Sequence, residues 1–434
     1  MGHHRAVTPV ITPFGGVAIG NVCRSVFGRE TAVKLTLSSL DELSARAEEV
    51  RAEHDRRYPG DPAERQPVHT VYVPADRFTA STPADLGAEA LRLLDAHAPD
   101  HAAMAAAFGV DQSLADAVRR RVVAKLSREP VEDVRIDFED GYGVRDDEEE
   151  DAHVARAVEE VAQAYEARRL PYYWGLRVRS FADGGHERGM RTLDGFLTGL
   201  AERLGKLPGG FVVTFPKIIA PEHVAVFADF LSRFEDEIGL PQNMLRFEVQ
   251  IETPESVTGL REIVDAAGSR LSAAHFGVYD YTAALGLPPS EQRLDHPACE
   301  YARHVMQVTL AGTGVRLSDG STNIVPASDE TPDVHRAWRR HAALVRYSLS
   351  HGYNQGWDMH AAHLASRFAT VYAFHLTGLD DAVDRVRSWH EAGGADAPVD
   401  GVIDEPATIK ALTTRLRRAV DCGAVDADQV SLPG

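Results

Sequence analysis

The 434-residue sequence predicts an α/β protein whose main part is a (β/α)8 TIM barrel, with a helical extension before it and a helical appendage after it. Two observations favour this fold. Short apolar, β-rich segments alternate with amphipathic helical segments over most of the chain, and polar residues directly follow several of the β-rich segments. Strands separated by helices pair in parallel, and eight such units close a barrel whose functional groups collect at the carboxyl ends of its strands.

The first 64 residues are predicted to form an N-terminal extension. Residues 1–36 contain Thr-Pro and Gly-Gly pairs and little periodicity, so we expect them either to be disordered or to reflect a start of the reading frame placed too early. From Ser39 onward, apolar residues recur at helical spacing, as in Leu40, Leu43 and Val50. This spacing predicts a helix that ends near Tyr58.

The barrel is assigned to residues 65–377. Its strands are predicted at residues 69–74, 134–138, 172–178, 211–217, 245–251, 273–278, 323–325 and 356–360. The helical segments between them are predicted at residues 83–97, 151–168, 193–204, 221–234, 257–267, 296–311 and 334–350. A doubly wound open sheet is the competing architecture. Neither a Gly-x-Gly-x-x-Gly motif after the first strand nor a P-loop motif occurs, so dinucleotide and nucleotide binding lose their main support.

Residues 378–434 are predicted to form a helical appendage. They contain two helical segments, 380–392 and 406–420, separated by a stretch rich in glycine and alanine. An appendage joined through such a hinge would serve as a lid or as an oligomer contact.

The composition argues against disordered, collagen-like and coiled-coil proteins, and the charge and cysteine content argue against further classes. Hydrophobic residues make up 44 % and charged residues 26 % of the chain, as in soluble globular proteins. The formal net charge of −19 opposes binding to nucleic acids and to anionic membrane surfaces. No apolar run is long enough to span a membrane. The three cysteines form no Cys-x-x-Cys motif, so we expect neither a disulfide framework nor a thiolate metal site, and we predict a cytoplasmic protein.

Four carboxylates follow predicted strands. Glu252 and Asp280 are separated by about one strand–helix unit, which would place them on neighbouring strand ends that face one opening. Oxygen ligands with room left for water suit Mg²⁺. Glu139 and Asp140 follow the second strand and would add to a repulsion that a cation relieves. Taken singly, each carboxylate is also explained as a helix cap, an ion-pair partner or a turn residue.

Arg177 and Lys217 are the positive counterparts of these acids. Arg177 shares a strand face with Arg179, and an inward arginine offers a bidentate clamp for a carboxylate, whereas a plain surface ion pair is the alternative. Lys217 either balances the charge of the acids or acts as a Schiff-base nucleophile; we favour charge balance because neighbouring acids raise the pKa of a lysine. Three residues near the last strand are candidates for a general base or for ordinary structural hydrogen bonds: Asp358, His360 and His363.

Eight short motifs resemble, in order, those of the citrate lyase β-subunit, malyl-CoA lyase and HpcH/HpaI aldolase superfamily. They are Val-Tyr-Val-Pro-Ala (71–75), Ile-Asp-Phe-Glu-Asp (136–140), Leu-Arg-Val-Arg (176–179), Phe-Pro-Lys (215–217), Ile-Glu-Thr-Pro (251–254), Phe-Gly-Val-Tyr-Asp (276–280), the segment 352–360 and Ile-Asp-Glu-Pro (403–406). Each motif is short, but the eight in this order are jointly specific.

The resemblance implies a lyase that uses Mg²⁺, or Mn²⁺, to make or break a C–C bond next to a 2-oxo acid or an acyl thioester through a metal-stabilised enolate. Carried over by position, Glu252 and Asp280 match the metal ligands, Glu139 and Asp140 match acids that hold metal-bound waters, and Arg177 matches the arginine that binds substrate oxygens. The implied partners are a small oxo-acid or hydroxy-acid, a CoA thioester as a further substrate class, and further copies of the chain in a homo-oligomer.

Two other functions stay open. One is a malate-synthase-like enzyme that condenses an acyl-CoA with an oxo acid. The other is a catalytically lapsed barrel that serves as a binding or regulatory subunit, because His360-Ala361 stands where the superfamily usually has His-Pro.

Overall fold

The computed structural model describes residues 37–392, 398–399 and 402–430. The chain divides into two compact units, Met1–Arg57 and Tyr58–Gly434. In the described part of the first unit, α1 (Leu37–Arg57) is the helix that the sequence predicts. The expectation for residues 1–36 lies outside the described residues.

The second unit is built on eight parallel strands. They are β1 (His69–Pro74), β2 (Asp133–Asp137), β3 (Tyr173–Arg177), β4 (Phe211–Phe215), β5 (Arg246–Ile251), β6 (Leu271–Phe276), β7 (Arg316–Ser318) and β8 (Gly356–Asp358). Their order is β7-β6-β5-β4-β3-β2-β1-β8, so each strand except β8 pairs with its neighbour in the chain. A further parallel bridge joins Ser318 to Gln355, next to β8, and brings the two edges together. The predicted (β/α)8 barrel is confirmed.

Helices surround the strands. They are α2 (Thr82–His97), α3 (His101–Phe108), α4 (Ala115–Arg128), α5 (Asp147–Glu166), α6 (His186–Leu204), α7 (Pro221–Ile238), α8 (Pro254–Thr258), α9 (Leu260–Ala267), α10 (Val278–Ala284), α11 (Pro297–Leu310), α12 (Thr331–Ser350), α13 (Ala361–Leu376), α14 (Leu379–Glu391) and α15 (Pro406–Asp421). Two short antiparallel strands, β9 (Pro398–Val399) and β10 (Val402–Ile403), lie between α14 and α15. None of the helices in the described part of the chain is long and apolar enough to cross a membrane.

The two faces of the strands differ in chemistry. Val134 and Ile136 belong to the apolar core, as expected for a sheet covered by helices. The alternate residues point into the barrel and are polar: Arg135 on β2 donates hydrogen bonds to Thr214 on β4 (3.1 Å) and to Glu248 on β5 (2.8 Å). Because these charges are paired across the barrel, a polar interior is compatible with burial.

Helix α13 was not predicted from the sequence. All but two of its sixteen residues are buried, since α13 packs against α2, α4 and α12. A helix buried on every side has no polar face, so the amphipathic period that reveals other helices is absent. Helices α3 and α4, in the long connection between β1 and β2, were likewise not predicted.

The predicted seventh strand, 323–325, is wrong. The observed β7 is Arg316–Ser318, which pairs with β6 through Ala273 to Arg316 and His275 to Ser318. Ile324 is instead 37 % exposed in an irregular segment. The apolar pair at 324–325 gave the stronger local pattern, but partners on β6 decide where a three-residue strand forms.

Candidate active site at the carboxyl ends of the strands

The carboxyl ends of β2 to β6 bring the predicted site residues to one end of the barrel, which we call the mouth. Arg177 is the last residue of β3, and Glu252 directly follows β5. Glu139 follows β2 by two residues, whereas Asp280 lies in the first turn of α10, after β6. Because parallel strands all end on the same side, residues that are far apart in sequence become neighbours here.

Arg177 is held by Asp137, the last residue of β2. Its Nε and Nη2 atoms donate to the two carboxylate oxygens of Asp137 at 2.7 and 2.6 Å, and its guanidinium lies 4.9 Å from the centre of the Tyr72 ring. Asp137 also accepts the backbone N–H groups of Glu139 and Gly141, both at 2.9 Å. Sequence reasoning did not single out Asp137, although it lies within the Ile-Asp-Phe-Glu-Asp motif. Its role is to fix the direction of the arginine.

Arg179 does not share the surroundings of Arg177. β3 ends at Arg177, so the alternation that put both arginines on one face does not continue. The Arg179 guanidinium donates to Glu150, in the first turn of α5, at 2.9 and 2.7 Å. Asp146 caps that helix by accepting the N–H of Glu149 at 2.8 Å, so the acidic segment 146–151 forms a helix N-terminus.

Lys217 joins three of the acids. Its backbone N–H donates to Glu252 Oε1 at 2.8 Å, while its ammonium contacts Glu139 and, at 2.5 Å, Asp140. This geometry requires a left-handed backbone at Lys217, with φ of 49°, which is uncommon for a residue with a side chain. Burial alone would lower the pKa of Lys217, but Glu139 and Asp140 raise it above its ordinary value. A raised pKa keeps the lysine charged, which fits charge balance and not a nucleophile.

Glu252 is buried, with 2 % of its surface exposed, and burial together with Asp280 raises its pKa to about 8. It does not cap α8, because that cap is Thr253, whose hydroxyl accepts the N–H of Ser256 at 3.0 Å. Burial also raises the pKa of Asp280. Within the described part of the chain, no lysine or arginine side-chain nitrogen lies within 4.0 Å of either carboxylate.

The mouth fits a divalent cation with oxygen ligands. Fully ionised, it holds five carboxylates against the two cations Arg177 and Lys217, and the cations contact only three of those five: Asp137, Glu139 and Asp140. The two acids without a cation partner, Glu252 and Asp280, offer hard oxygen atoms, which Mg²⁺ and Mn²⁺ accept. A divalent cation beside them would offset the repulsion that raises the pKa of Glu252.

A second cluster of possible ligand atoms, from His341, Asp358 and His363, lies among buried residues of β8, α12 and α13. Asp358 accepts from Arg367 at 2.7 and 3.1 Å, and its oxygens lie 2.8 Å from His69 and 3.1 Å from His341. The arginine already supplies the charge that a metal would bring. We therefore interpret the cluster as a structural network.

The structure gives the three general-base candidates structural partners. Asp358 lies in that buried network, and Arg367 with the two histidines holds its pKa well below the ordinary value. His363 Nε2 lies 2.9 Å from the carbonyl oxygen of Ile324, and burial lowers its pKa to about 3. His360 caps α13, because its Nδ1 accepts the N–H of Ala362 at 3.1 Å.

Comparisons with known proteins identify a family, a relative and similar structures. The family model described as "Domain of unknown function (DUF6986)" matches residues 47–434. The L-malyl-CoA/beta-methylmalyl-CoA lyase of Haloarcula marismortui is 27 % identical over 243 residues, which are 54 % of this chain and 67 % of that protein. A citrate lyase from Burkholderia xenovorans LB400 has 20 % identity and a TM-score of 0.55, over 72 % of this chain and 91 % of that one.

A further similar structure is the protein CitE from Mycobacterium tuberculosis in complex with magnesium, acetoacetate and coenzyme A. It has 17 % identity and a TM-score of 0.47, over 82 % of this chain and 98 % of that one. The likeness to the malyl-CoA lyase confirms the superfamily that the motif series predicts, and the citrate lyase shares the fold.

Proposed function

The chain belongs to the DUF6986 family, and we propose that it is a Mg²⁺- or Mn²⁺-dependent carbon–carbon lyase of the aldolase type. Its substrate would be a small hydroxy-acid or oxo-acid, or the CoA thioester of one. One observation carries the proposal: Glu252 and Asp280, on adjacent strand ends, have no cation partner among the described residues and lie at the same mouth as Arg177. A TIM barrel carries its chemistry at this end of its strands.

Cleavage of a C–C bond next to a carbonyl leaves an enolate, so the site has to stabilise negative charge on oxygen. Glu252 and Asp280 would hold the metal ion, and Glu139 and Asp140 would orient its waters. When bound there, the ion would supply positive charge to the carboxylate and carbonyl oxygens of the substrate.

Arg177 would bind and orient the substrate. Asp137 takes up its Nε and Nη2 atoms, which leaves Nη1, 3.4 Å from Glu139 Oε2, as the least engaged edge of the guanidinium. That separation is longer than a strong charge-assisted hydrogen bond, so a substrate carboxylate would compete for Nη1. Lys217 would keep Glu139 and Asp140 in place.

A CoA thioester substrate is supported by the Haloarcula relative, which is an L-malyl-CoA/beta-methylmalyl-CoA lyase. The same site would serve a malate-synthase-like condensation, because both reactions pass through an enolate. The two are separated by a thiol assay, since condensation followed by hydrolysis releases free CoA. A lapsed barrel would give neither product.

We also propose that residues 65–377 carry the reaction, that 1–64 are an extension, and that 378–434 act as a lid or an oligomer contact in a homo-oligomer. In the structure the residue that follows α15 contacts α13, because Tyr372 Oη donates to the carbonyl of Cys422 at 3.1 Å. Light scattering on the full chain and on a chain ending at residue 377 compares their oligomeric states and so tests whether residues 378–434 form an oligomer contact.

The function is tested by screening hydroxy-oxo acids and acyl-CoA thioesters for release of pyruvate or glyoxylate, with and without Mg²⁺. We expect Glu252→Ala and Asp280→Ala to abolish metal-dependent cleavage while circular dichroism stays unchanged. Asp229→Ala, at an exposed acid on α7, is the matched control and should keep full activity. Wild-type rates in both mouth variants would disprove the metal site.

A further inference from the structure

A second cavity opens at the opposite end of the barrel, where the strands begin. Its volume is about 520 Å³, and its lining includes the first residues of β2 to β5 and of β7. Since β5 has six residues and a strand rises about 3.3 Å per residue, the beginning of β5 lies roughly 20 Å along the strand from the mouth. The proposed lyase chemistry does not use it.

Two arginines in this cavity are poorly neutralised. Arg246 begins β5, and the hydrogen bond of its side chain goes to the carbonyl of Leu271, at 3.0 Å. No carboxylate oxygen lies within 4.0 Å of its guanidinium in the described ranges of the chain. Arg316 begins β7 and lies 3.4 Å from a carboxylate oxygen of Glu64, whose side chain is 67 % exposed. Because that carboxylate is largely in solvent, water screens the pair and it contributes little.

The two arginines also act on each other. Burial and the charge of Arg316 lower the pKa of Arg246. Glu64 raises it, but not enough to restore the ordinary value. The third arginine in the lining, Arg135, is already paired with Asp133 and Glu248. The lining holds as many carboxylates as arginines, but its two buried carboxylates pair with Arg135, which leaves the exposed Glu64 alone beside Arg246 and Arg316.

An aromatic and apolar wall stands beside these charges. The Arg316 guanidinium lies 5.2 Å from the centre of the Tyr173 ring, and Tyr172, 60 % exposed, packs edge-on against Tyr173 at 4.7 Å. Met244, 42 % exposed, is a further lining residue. Exposed aromatic and methionine side chains around unneutralised guanidinium groups are the features of a binding pocket rather than of a packed strand end.

We propose that this cavity binds a small organic anion with a flat apolar body, whose carboxylate or phosphate group pairs with Arg246 and Arg316 and whose body lies against Tyr172 and Tyr173. Arginine suits both anions because its planar fork donates two parallel hydrogen bonds. A volume of about 520 Å³ is within the range of small-molecule sites. The site does not depend on the proposed lyase activity.

Calorimetry with phenyl phosphate, benzoate and benzamide tests the proposal. Phenyl phosphate and benzoate carry the two anions, and benzamide is a neutral molecule of similar shape. EDTA is present throughout, which prevents binding through a divalent metal at the mouth. We expect saturable binding of at least one anion with a Kd of about 1 mM or tighter, and at least tenfold weaker binding of benzamide. The stronger of the two anions identifies the head group.

Substitutions of the lining residues test whether the anion binds in this cavity. Arg246→Gln and Arg316→Gln should each weaken anion binding about tenfold or more. Tyr172→Ala should weaken it for both anions alike. Arg233→Gln, at an exposed arginine on α7, is the matched control, and Glu252→Gln tests the mouth; both should bind like the wild type. Absence of saturable anion binding, equal binding of benzamide, or binding that persists in both cavity arginine variants would overturn the proposal.

Discussion

A Cβ atom placed on Gly277 would lie 2.4 Å from the Cβ atom of Glu252 and 2.3 Å from its Oε2 atom. The φ angle of Gly277 is −99°, which any residue adopts, so the backbone itself does not require glycine. Its N–H donates to the carbonyl of Ile251 at 3.0 Å, which holds the ends of β5 and β6 together. Glu252 thus occupies the space that a side chain at position 277 would take.

Gly277→Ala should therefore damage the mouth without unfolding the barrel. The added methyl group would displace the Glu252 carboxylate, and a shift of about 1 Å at a catalytic group can cost on the order of a hundredfold in rate. We expect weaker Mg²⁺ binding in calorimetry and a lower kcat/KM. Gly195→Ala on α6 is the control, because its Cβ would meet Val154 at an ordinary 3.6 Å. Unchanged metal affinity in Gly277→Ala would exclude Glu252 as a ligand.

Lys217→Gln should destabilise the protein. Loss of the ammonium leaves Glu139, which is buried, without the cation that contacts it most closely, and an unsatisfied buried polar group costs about 1–3 kcal/mol. Urea unfolding measures the free energy of unfolding, with Lys410→Gln as an exposed control. A Lys217→Gln variant as stable as the control would mean that the ion pairs contribute nothing.

Asp358→Asn should lower the free energy of unfolding and leave the affinity for Mg²⁺ nearly unchanged. The substitution leaves Arg367 buried and without its carboxylate partner, which typically costs about 3–5 kcal/mol. Mg²⁺ binding should stay within about twofold of the wild type, a difference of about 0.4 kcal/mol. A large loss of metal affinity with little loss of stability would instead favour a metal site at His341, Asp358 and His363.

His363 should make the protein sensitive to acid. Burial lowers its pKa to about 3, whereas an unfolded histidine has a pKa of about 6.5. Between those two values the unfolded state binds more protons than the folded state, so the free energy of unfolding falls as the pH falls.

His363→Gln removes this titration. The variant should show a shallower loss of stability than the wild type between pH 6.5 and about 3. Urea unfolding at pH 7, 5.5 and 4 measures both slopes. Equal slopes would show that His363 is not buried in its neutral form.

Much of the site could be predicted because its signals are local in sequence. Apolar β-rich runs located seven of the eight strands to within two residues at each end, and the polar residues that follow a run were then assigned to its carboxyl end. That reasoning found Arg177, Glu139, Asp140, Glu252 and Asp280, all of which lie at the mouth. Their roles in catalysis and in metal binding remain predictions.

Other features depend on partners that are distant in sequence. Asp358 on β8 contacts His69 on β1, which is far away in the chain. Lys217 has a left-handed backbone, its N–H donates to Glu252, and its ammonium contacts the acids after β2.

The sequence by itself determined the alternation of strands and helices, the acidic character of the chain and the acids at the strand ends, because these follow from composition and short-range periodicity. Only the tertiary structure decided the position of β7, the clamp of Asp137 on Arg177 and the cavity around Arg246 and Arg316. The physical reason is closure of the barrel, which brings together residues from strands that are far apart in the chain.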